Sequence, residues 1–333
     1  MNKPVFEQVL EFLEQNPQTI SPDTCELCGG EWLVTISNID RYGLPVRFEM
    51  CRQCGLVTQN PRWDSRAYSR FYTEFYRRLI TEWRGYPSTA TSGDSALEWY
   101  RKMACTTALD RYLPKSPRIL DIGGGNGVLA EFMRDQLGGE VTVVEPNGSE
   151  AEEAARKGFD VVSDVFENAR FDPGTFDLIL MIRTVDHLID ASETFTRIRQ
   201  AVKPGGYLLV DGADYFRRMA YLRDPVAPLK IDHCYYFSPE SLGMLMRKNG
   251  LHPVVSDTTV LPGEIVNLAK VGEPDAISIE GFETLPEAAY RYFEWEQLAN
   301  RPNFMTKPGY LVRTLYSDLG WLKSKVRSKI RRR

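Results

Sequence analysis

The sequence predicts an α/β fold, a doubly wound sheet with helices on both faces, preceded by a small metal-binding module. From residue 118 to about residue 271, short apolar runs alternate with helical segments, a pattern typical of a parallel sheet. A glycine-rich turn follows the first of these runs. Two Cys-x-x-Cys pairs precede the sheet and lie among short β-prone segments. These observations predict an N-terminal metal-binding module followed along the chain by a ligand-binding sheet.

Composition and charge exclude several classes of protein. The chain has 333 residues, of which 43% are hydrophobic and 26% charged, and this excludes extended disorder. It contains no run of about 18 apolar residues and no basic, apolar leader, so we expect a cytoplasmic protein. Seven of the last eleven residues are Lys or Arg, which leaves 34 basic against 45 acidic residues in the rest. Such an acidic body argues against nucleic acid as a partner.

The order of these patterns predicts five regions. The last is a helical extension that ends in a basic amphipathic helix, with leucine, valine and isoleucine recurring every three or four residues. Its apolar face suits an anionic membrane surface, packing on the protein itself, or contact with RNA. The predicted regions are a leading helix (1–22), a zinc-ribbon module (23–60), a helical lid (61–114), the sheet (115–272) and the extension (273–333).

The four paired cysteines predict a structural zinc site. Cys25 and Cys28 form one pair, Cys51 and Cys54 the other, and a glycine follows each pair. Four thiolates suit tetrahedral zinc, and a site whose ligands all come from protein leaves no open position. A redox role would need each pair beside its own βαβ unit, and neither pair has one. The other two cysteines, at positions 105 and 234, are expected in the core.

The glycine turn predicts the cofactor. Asp121 ends the first strand, and Gly123, Gly125 and Gly127 follow at alternate positions before a helix. A dinucleotide fold would place its third glycine at Val128 instead. The observed pattern resembles class I methyltransferases that use S-adenosylmethionine. That resemblance implies a Rossmann-like core of seven strands; a turn kept for structure alone is the alternative.

Two downstream acidic residues agree with this resemblance. Glu145 ends the next strand, where an acidic side chain can accept hydrogen bonds from both ribose hydroxyls. Asp164 follows the third strand, and in that family a residue at this position meets the adenine amino group. A Lys-Pro-Gly-Gly turn at 203–206, before the fifth strand, is also common in the family.

The N-terminal segments narrow the resemblance. CELCGG, YGLPVRFEMCRQCGLVTQNPR and FYTEFYRRL are similar to zinc-ribbon methyltransferases of sugar and polysaccharide biosynthesis, including the sugar C-methyltransferases of antibiotic pathways. By that likeness Tyr72, Tyr76 and Arg77 close over the cofactor, with Arg77 pairing the methionine carboxylate. Core packing is the alternative for the two tyrosines, and a solvated helix face is the alternative for Arg77.

Histidines are the candidate catalytic groups. Methyl transfer to a hydroxyl or an enolisable carbon needs a group that takes a proton, and histidine suits this at neutral pH. His233, in IDHCYYFSPESL, is the first candidate general base, and Tyr236 or its neighbour Tyr235 would orient substrate or base. The alternative is that His233 orders the lid. His252 is expected at the surface.

His187 follows the fourth strand, next to the methyl-transfer site in this fold. It is expected to contact cofactor or substrate, or to bind a divalent cation with Asp186 and Asp211. Segment 214–230 carries arginines, a lysine and tyrosines, which suits a clamp for a diphosphate as well as a solvated face.

Together these observations predict methyl transfer from S-adenosylmethionine to a sugar that is linked to a nucleotide or a lipid, with a histidine general base. A peripheral position at a membrane would follow from the basic tail. Two other classes stay open: a zinc-ribbon RNA methyltransferase, which the acidic body disfavours, and a non-catalytic scaffold that binds the cofactor.

Overall fold

The N-terminal part contains one helix and a small antiparallel sheet. The computed structural model describes residues 4–30, 33–51, 53–85, 94–222, 224–259 and 263–275. Helix α1 (Val5–Gln15) buries Val5, Val9 and Phe12 on one face, as their helical spacing requires. The strands are β1 (Leu33–Ser37), β2 (Phe48–Cys51) and β3 (Val57–Gln59), and β2 pairs with both others.

A helical segment follows and covers one side of the molecule's main cavity. Helix α2 (Ser65–Phe71) begins at Asp64, whose side chain accepts a hydrogen bond from the Ala67 N–H. A π-helical turn (Tyr72–Tyr76) leads into α3 (Arg77–Arg84), which ends at Gly85 in the left-handed conformation. Helix α4 (Asp94–Thr107) precedes the main sheet. A π-turn inside a helix commonly marks a functional site, and this one faces the cavity described below.

The central layer is a seven-stranded mixed sheet. Its strands run in the order β10-β11-β8-β7-β4-β5-β6. The elements after α4 are β4 (Arg118–Ile122), α5 (Val128–Leu137), β5 (Glu140–Val144), α6 (Gly148–Arg156), β6 (Asp160–Val162), β7 (Phe176–Met181), α7 (Ala191–Ala201), β8 (Val202–Ala213), α8 (Tyr215–Leu222), β9 (Tyr235–Tyr236), α9 (Pro239–Lys248), β10 (Leu251–Asp257) and β11 (Glu264–Val271).

The prediction of an α/β sheet is confirmed, with one correction to its direction. Strands β4 to β8 pair in parallel, but β11 is antiparallel to both β8 and β10. Only six residues separate β10 from β11, too few for the crossover that a parallel pair needs. The strands β4, β5, β7 and β8 bury their apolar side chains almost completely. Met103 of α4 and Leu129 of α5 pack in the same core as Leu178 and Leu180 of β7.

The two-residue strand β9 joins the N-terminal sheet to the core. Although it lies far along the chain, it pairs with β3, with Thr58 opposite Tyr235 and Val57 opposite Tyr236. The Gln59 N–H also donates to the Cys234 carbonyl at 2.8 Å. The segment that carries His233 is therefore held by the N-terminal module.

The two unpaired cysteines, both expected in the core, differ in their exposure. Cys234 is buried as expected, but Cys105 is exposed, because it lies on the face of α4 opposite its buried neighbours Met103 and Thr107. No helix in the described ranges is long and apolar enough to span a membrane. The predicted helical extension and its basic tail, from residue 276 on, lie outside the described residues.

Candidate active site

A cavity of about 430 Å³ opens at the carboxyl ends of β4, β5, β7 and β8. In open α/β sheets this edge is the ordinary ligand site. The lining includes Ile122 at the end of β4, Pro146 after β5, Thr184 after β7 and Gly212 near the end of β8. The helical lid and the N-terminal module contribute the remaining walls, so three parts of the chain meet here.

The glycine turn forms the floor of one half of the cavity. Gly123 and Gly125 line it, and both have positive φ angles that favour glycine. Gly127 also has a positive φ but does not line the cavity; a Cβ there would lie 3.1 Å from the Phe159 ring, so this glycine allows close packing of α5. Gly124, which sequence reasoning left out, lines the cavity, and a Cβ on it would lie 2.7 Å from Asp121 Oδ2.

Two buried carboxyl groups flank this turn. Glu145 lines the cavity, and its two oxygens accept backbone N–H bonds from Gly125 (2.9 Å) and Asn147 (2.8 Å). Asp121 lies behind the turn, and its Oδ2 has no hydrogen-bond partner among the described residues. Burial raises the pKa of each carboxyl to about 7, and the neighbouring Glu145 carboxylate adds to the rise at Asp121.

Residues of the π-turn and the start of α3 line the same half of the cavity. Tyr72, Tyr76 and Arg77 all line the cavity, and Asn147 donates to the Tyr72 carbonyl at 3.2 Å, which fixes the π-turn on the loop after β5. Arg77 forms an ion pair with Glu150, and its guanidinium carbon lies over the Tyr76 ring, 5.3 Å from the ring centroid. The Arg77 Nε is buried without a partner in the described chain.

Asp164, the predicted adenine contact, lies next to the cavity and outside its lining. Its Oδ1 accepts hydrogen bonds from the Val165 N–H (2.7 Å) and from Asn168 (3.0 Å). Val165 and Phe166, the following two residues, line the cavity instead. They add an apolar wall beside Glu145.

The other half of the cavity brings the two candidate catalytic histidines together. His187, on a short 3₁₀ turn after β7, and His233, before β9, have ring centroids 4.3 Å apart. Burial lowers the pKa of His187 to about 4 and that of His233 well below its ordinary value, so both rings are neutral at neutral pH. Asp232 lies between them, with its Oδ2 3.6 Å from His187 Nδ1 and 3.6 Å from His233 Nε2.

The proposed partners of these histidines are only partly as predicted. Asp186 lies 3.7 Å from His233 Nδ1, but Asp211 accepts a short hydrogen bond from the Arg183 N–H and does not join the cluster. Sequence reasoning missed Asp232, although it directly precedes His233. Tyr236 lies behind the wall: its hydroxyl accepts the Lys230 N–H at 2.6 Å, and its ring is 5.5 Å from that of His233.

Basic side chains form the wall beside the histidines. Lys230 and Arg218 come from the 214–230 segment, and Arg41 comes from the N-terminal module. Arg41 donates from Nε to the Ala227 carbonyl at 2.7 Å, and Arg218 pairs with Glu264. Arg217, by contrast, is half-exposed and pairs with Asp214. No local pattern could identify Arg41, since it reaches the cavity only through the folding of the N-terminal module onto the core.

The four paired cysteines converge as a metal site requires. Cys25 Sγ lies 3.5 Å from Cys54 Sγ, and Cys28 Sγ lies 3.6 Å from Cys51 Sγ. Zinc–sulfur bonds of about 2.3 Å in a tetrahedron separate the sulfurs by about 3.8 Å, so the residues present fit zinc. The four sulfurs lie within 4.8 Å of one another and three of the cysteines are buried. A zinc ion here would have a structural role.

The comparisons with known proteins agree with this site. Residues 97–256 match a family model described as a methyltransferase domain. An uncharacterized methyltransferase of Schizosaccharomyces pombe is 30% identical over 140 residues, 38% of this chain and 50% of that protein. A ubiquinone biosynthesis O-methyltransferase of Methylocella silvestris is 32% identical over 108 residues, 30% of this chain and 42% of that one.

Among solved structures, a 1,6-didemethyltoxoflavin-N1-methyltransferase of Burkholderia thailandensis, with bound S-adenosylhomocysteine, aligns with a TM-score of 0.41 and 19% identity, over 53% of this chain and 78% of that one. The chain spans half or less of the length of the two curated relatives named above. The family match covers strands β4 to β8, the glycine turn and both candidate histidines, whereas β11 lies beyond it. Residues 97–256, a little under half of the chain, therefore match a methyltransferase domain.

Proposed function

We propose that the protein transfers a methyl group from S-adenosylmethionine to a sugar that is linked to a nucleotide or a lipid. One observation carries the proposal: a single cavity joins a half suited to the cofactor and a half that holds two neutral histidines beside basic side chains. The acceptor atom is an oxygen or an enolisable carbon. Bound S-adenosylmethionine supplies an already activated methyl group, so the protein's task is positioning and proton removal.

The cofactor half has the donor and acceptor groups that S-adenosylmethionine needs. Glu145 offers carboxylate oxygens to ribose hydroxyls, and the backbone of the Gly123–Gly125 turn leaves room for a ligand. Arg77 is the cation for the methionine carboxylate, for which it would exchange its pairing with Glu150. Val165 and Phe166 supply an apolar surface for adenine, next to Asp164.

The acceptor half supports an anionic carrier on the sugar. Arg41, Arg218 and Lys230 line this wall, and guanidinium and ammonium groups are the ordinary ligands of phosphate. Glu264 and Asp186 balance part of this charge, which leaves the arginines able to turn toward a phosphate at modest cost. The His187 and His233 pair is the deprotonating centre, with His233 as the first candidate base and Tyr236 supporting its loop.

The basic tail supports a peripheral position of the protein at a membrane surface. Leucine, valine and isoleucine recur through residues 311–330 with lysine and arginine on the other faces. An amphipathic helix of this kind binds anionic lipid surfaces, which would keep an enzyme close to lipid-linked sugars. Sedimentation of the full chain with vesicles containing phosphatidylglycerol, against vesicles of phosphatidylcholine alone, tests this part.

The cofactor assignment is tested by calorimetry of the full-length protein with S-adenosylmethionine. Hydrogen bonds to a charged group contribute about 1.5–3 kcal/mol, so Glu145→Ala should weaken binding by about ten- to a hundredfold. Glu152→Ala removes the same charge from an exposed position on α6 and should leave binding unchanged. Equal affinities in the two variants would contradict the proposed cofactor site.

The acceptor is tested separately, with methyl-labelled cofactor and a panel of nucleotide sugars and lipid-linked sugars. We expect transfer to an acceptor with a phosphate link and its loss in His233→Gln, with cofactor binding retained. Cofactor binding without transfer to any acceptor, in a folded protein, would favour the scaffold alternative.

A further inference from the structure

Three side chains at the acceptor end of the cavity converge on one point. His187 lies on the turn after β7, whereas Asp232 and His233 precede β9. Asp232 Oδ2 is 3.6 Å from His187 Nδ1 and 3.6 Å from His233 Nε2, and the three ligand atoms all lie within 4.8 Å of one another. These contacts are too long for direct hydrogen bonds. A gap of this size between one carboxylate and two imidazoles is what an ion occupies.

The spacing fits a small divalent ion. Nitrogen and carboxylate ligands bind zinc at about 2.0–2.2 Å, and in a tetrahedron this separates neighbouring ligand atoms by about 3.4 Å. Both measured edges are close to that value. Two imidazoles and one carboxylate leave a fourth position, and His187 and His233 both line the cavity, so that position faces the acceptor. Three protein ligands with one open position are the arrangement of catalytic ions.

The hydrogen bonding of His233 points the same way. The residue is 6% exposed, yet neither of its ring nitrogens has a hydrogen-bond partner among the described residues. Buried polar atoms are nearly always satisfied, so both nitrogens call for further partners, and an ion would be the partner of Nε2. Asp186 Oδ2 lies 3.7 Å from Nδ1, on the side away from Asp232. A carboxylate there is the usual support for a histidine that binds metal through its other nitrogen.

Two neighbours compete with an ion. The Tyr72 hydroxyl lies 2.9 Å from His187 Nδ1, but it also lies 3.2 Å from the Asp232 carbonyl and can donate there when Nδ1 is occupied. Lys230 Nζ lies 3.4 Å from Asp232 Oδ2 and brings a positive charge to the site. The lysine therefore opposes cation binding, so its removal should raise the affinity of the site for a cation.

We propose that His187, Asp232 and His233 bind one divalent transition-metal ion, with its open position toward the methyl acceptor. The mixed nitrogen and oxygen ligands suit Zn²⁺ or Co²⁺. An acceptor hydroxyl bound to such an ion would lose its proton more readily. That proton would pass to the Asp186 carboxylate, which lines the cavity, so the histidines would serve as ligands of the ion and not as the base. The inference rests on the proposed function for the acceptor, whereas the ion site itself stands on the geometry.

The test is titration of the full-length protein with Co²⁺ after loading with one equivalent of zinc, which the thiolates bind first. Calorimetry gives the stoichiometry, and absorption separates the two kinds of site, because cobalt on thiolates gives intense charge-transfer bands that cobalt on nitrogen and oxygen lacks. We expect one Co²⁺ per chain without thiolate bands. Affinity should fall about tenfold or more in Asp232→Asn, and about tenfold in Asp186→Asn, which changes only the supporting carboxylate.

His252→Gln is the matched control, since this histidine lies outside the cavity and its imidazole contacts the Glu273 carbonyl. It should bind Co²⁺ like the unmodified protein, and Lys230→Gln should bind severalfold more tightly. S-adenosylmethionine binding in each sample verifies folding. Failure of the zinc-loaded protein to bind one equivalent of cobalt, or equal affinity in Asp232→Asn and His252→Gln, would overturn the inference while leaving the proposed function intact. Cobalt binding without methyl transfer to any acceptor would instead refute the proposed function alone.

Discussion

The described part of the chain contains two clusters of metal-ligating side chains, which differ in how they are built. The cysteine cluster (Cys25, Cys28, Cys51, Cys54) takes all four ligands from one small module, and three of the four are buried. Four protein ligands leave no coordination position open. The histidine cluster (His187, Asp232, His233) draws three ligands from two distant segments and opens onto a cavity. A closed set of four ligands can support a fold, whereas an open set of three can bind a reactant.

The two clusters are physically connected. β3, which follows the second cysteine pair, pairs with β9, which begins two residues after His233. Asp40, in the loop between β1 and β2, accepts the Ile231 N–H at 3.0 Å. Arg62 donates to Tyr235 at 2.9 Å and to Glu26, which lies between the first pair of cysteines. The closed cluster thus fixes the loop that carries two of the three residues of the open one.

Loss of the cysteine cluster should have the largest effect. Structural zinc contributes on the order of 10 kcal/mol of folding free energy, so Cys51→Ser should unfold the module and release β9. We expect methyl transfer to fall below detection and hydrogen exchange to rise across residues 229–237. Elemental analysis should find no tightly bound zinc. The exposed Cys105→Ser is the control and should keep zinc, protection and activity.

This variant also separates the two clusters better than a chelator does, because a chelator would strip ions from both. Protection of residues 229–237 that stays unchanged in Cys51→Ser would break the proposed connection between the closed and the open site.

Removal of Arg62 should have the next largest effect. This side chain is 1% exposed and donates to the Ile189 carbonyl at 2.6 Å as well as to Glu26 and Tyr235. Removing one partner of a buried ion pair typically costs about 3–5 kcal/mol, so Arg62→Met should lower the free energy of unfolding by that order. Arg70→Met removes an exposed pair with Glu74 and should cost about 1 kcal/mol or less. Urea unfolding of both variants decides the matter.

Zinc content refines the result for Arg62. If Arg62→Met keeps its zinc but loses methyl transfer, the arginine acts by positioning the β9 segment. A variant as stable as Arg70→Met would show that the two regions are connected mainly through strand pairing.

The same contrast explains what the sequence could predict. Both cysteine pairs, the glycine turn and Glu145 are local patterns, because each ligand set or turn is formed by residues a few positions apart. Asp232 and Arg41 were missed, because they reach the cavity only through contacts between the N-terminal module and the core. Strand β9 has two residues and pairs with a strand more than 170 positions earlier, which no periodicity encodes. Cys105 was misplaced because the direction of a helix face depends on what packs against it.

Asp40→Asn should give the smallest effect and the sharpest pH dependence. Burial raises the pKa of Asp40 from 3.8 to about 7, although backbone N–H bonds from Leu44, Ile231 and Tyr42 oppose the rise. A carboxyl whose pKa is raised by folding leaves stability unaffected well below pH 4, and it destabilises the fold increasingly as the pH rises toward 7, above which the loss levels off. Asparagine keeps an acceptor oxygen but cannot ionise. The amide nitrogen replaces one accepting oxygen, which lowers stability by a similar amount at every pH. The stability of Asp40→Asn relative to the unmodified protein should nevertheless rise by about 1–3 kcal/mol from pH 5 to pH 8.

Urea unfolding at both pH values measures this difference, and the exposed Asp172→Asn should show none. The titration of the cysteines and histidines is common to all three proteins and cancels in the comparison. A pH-independent difference between Asp40→Asn and the unmodified protein would mean that Asp40 carries its charge in the folded state without penalty. The three backbone N–H bonds to Asp40 would then lower its pKa by as much as burial raises it. The contact between the N-terminal module and the Ile231 loop would in that case be made by a carboxylate and not by a neutral carboxyl group.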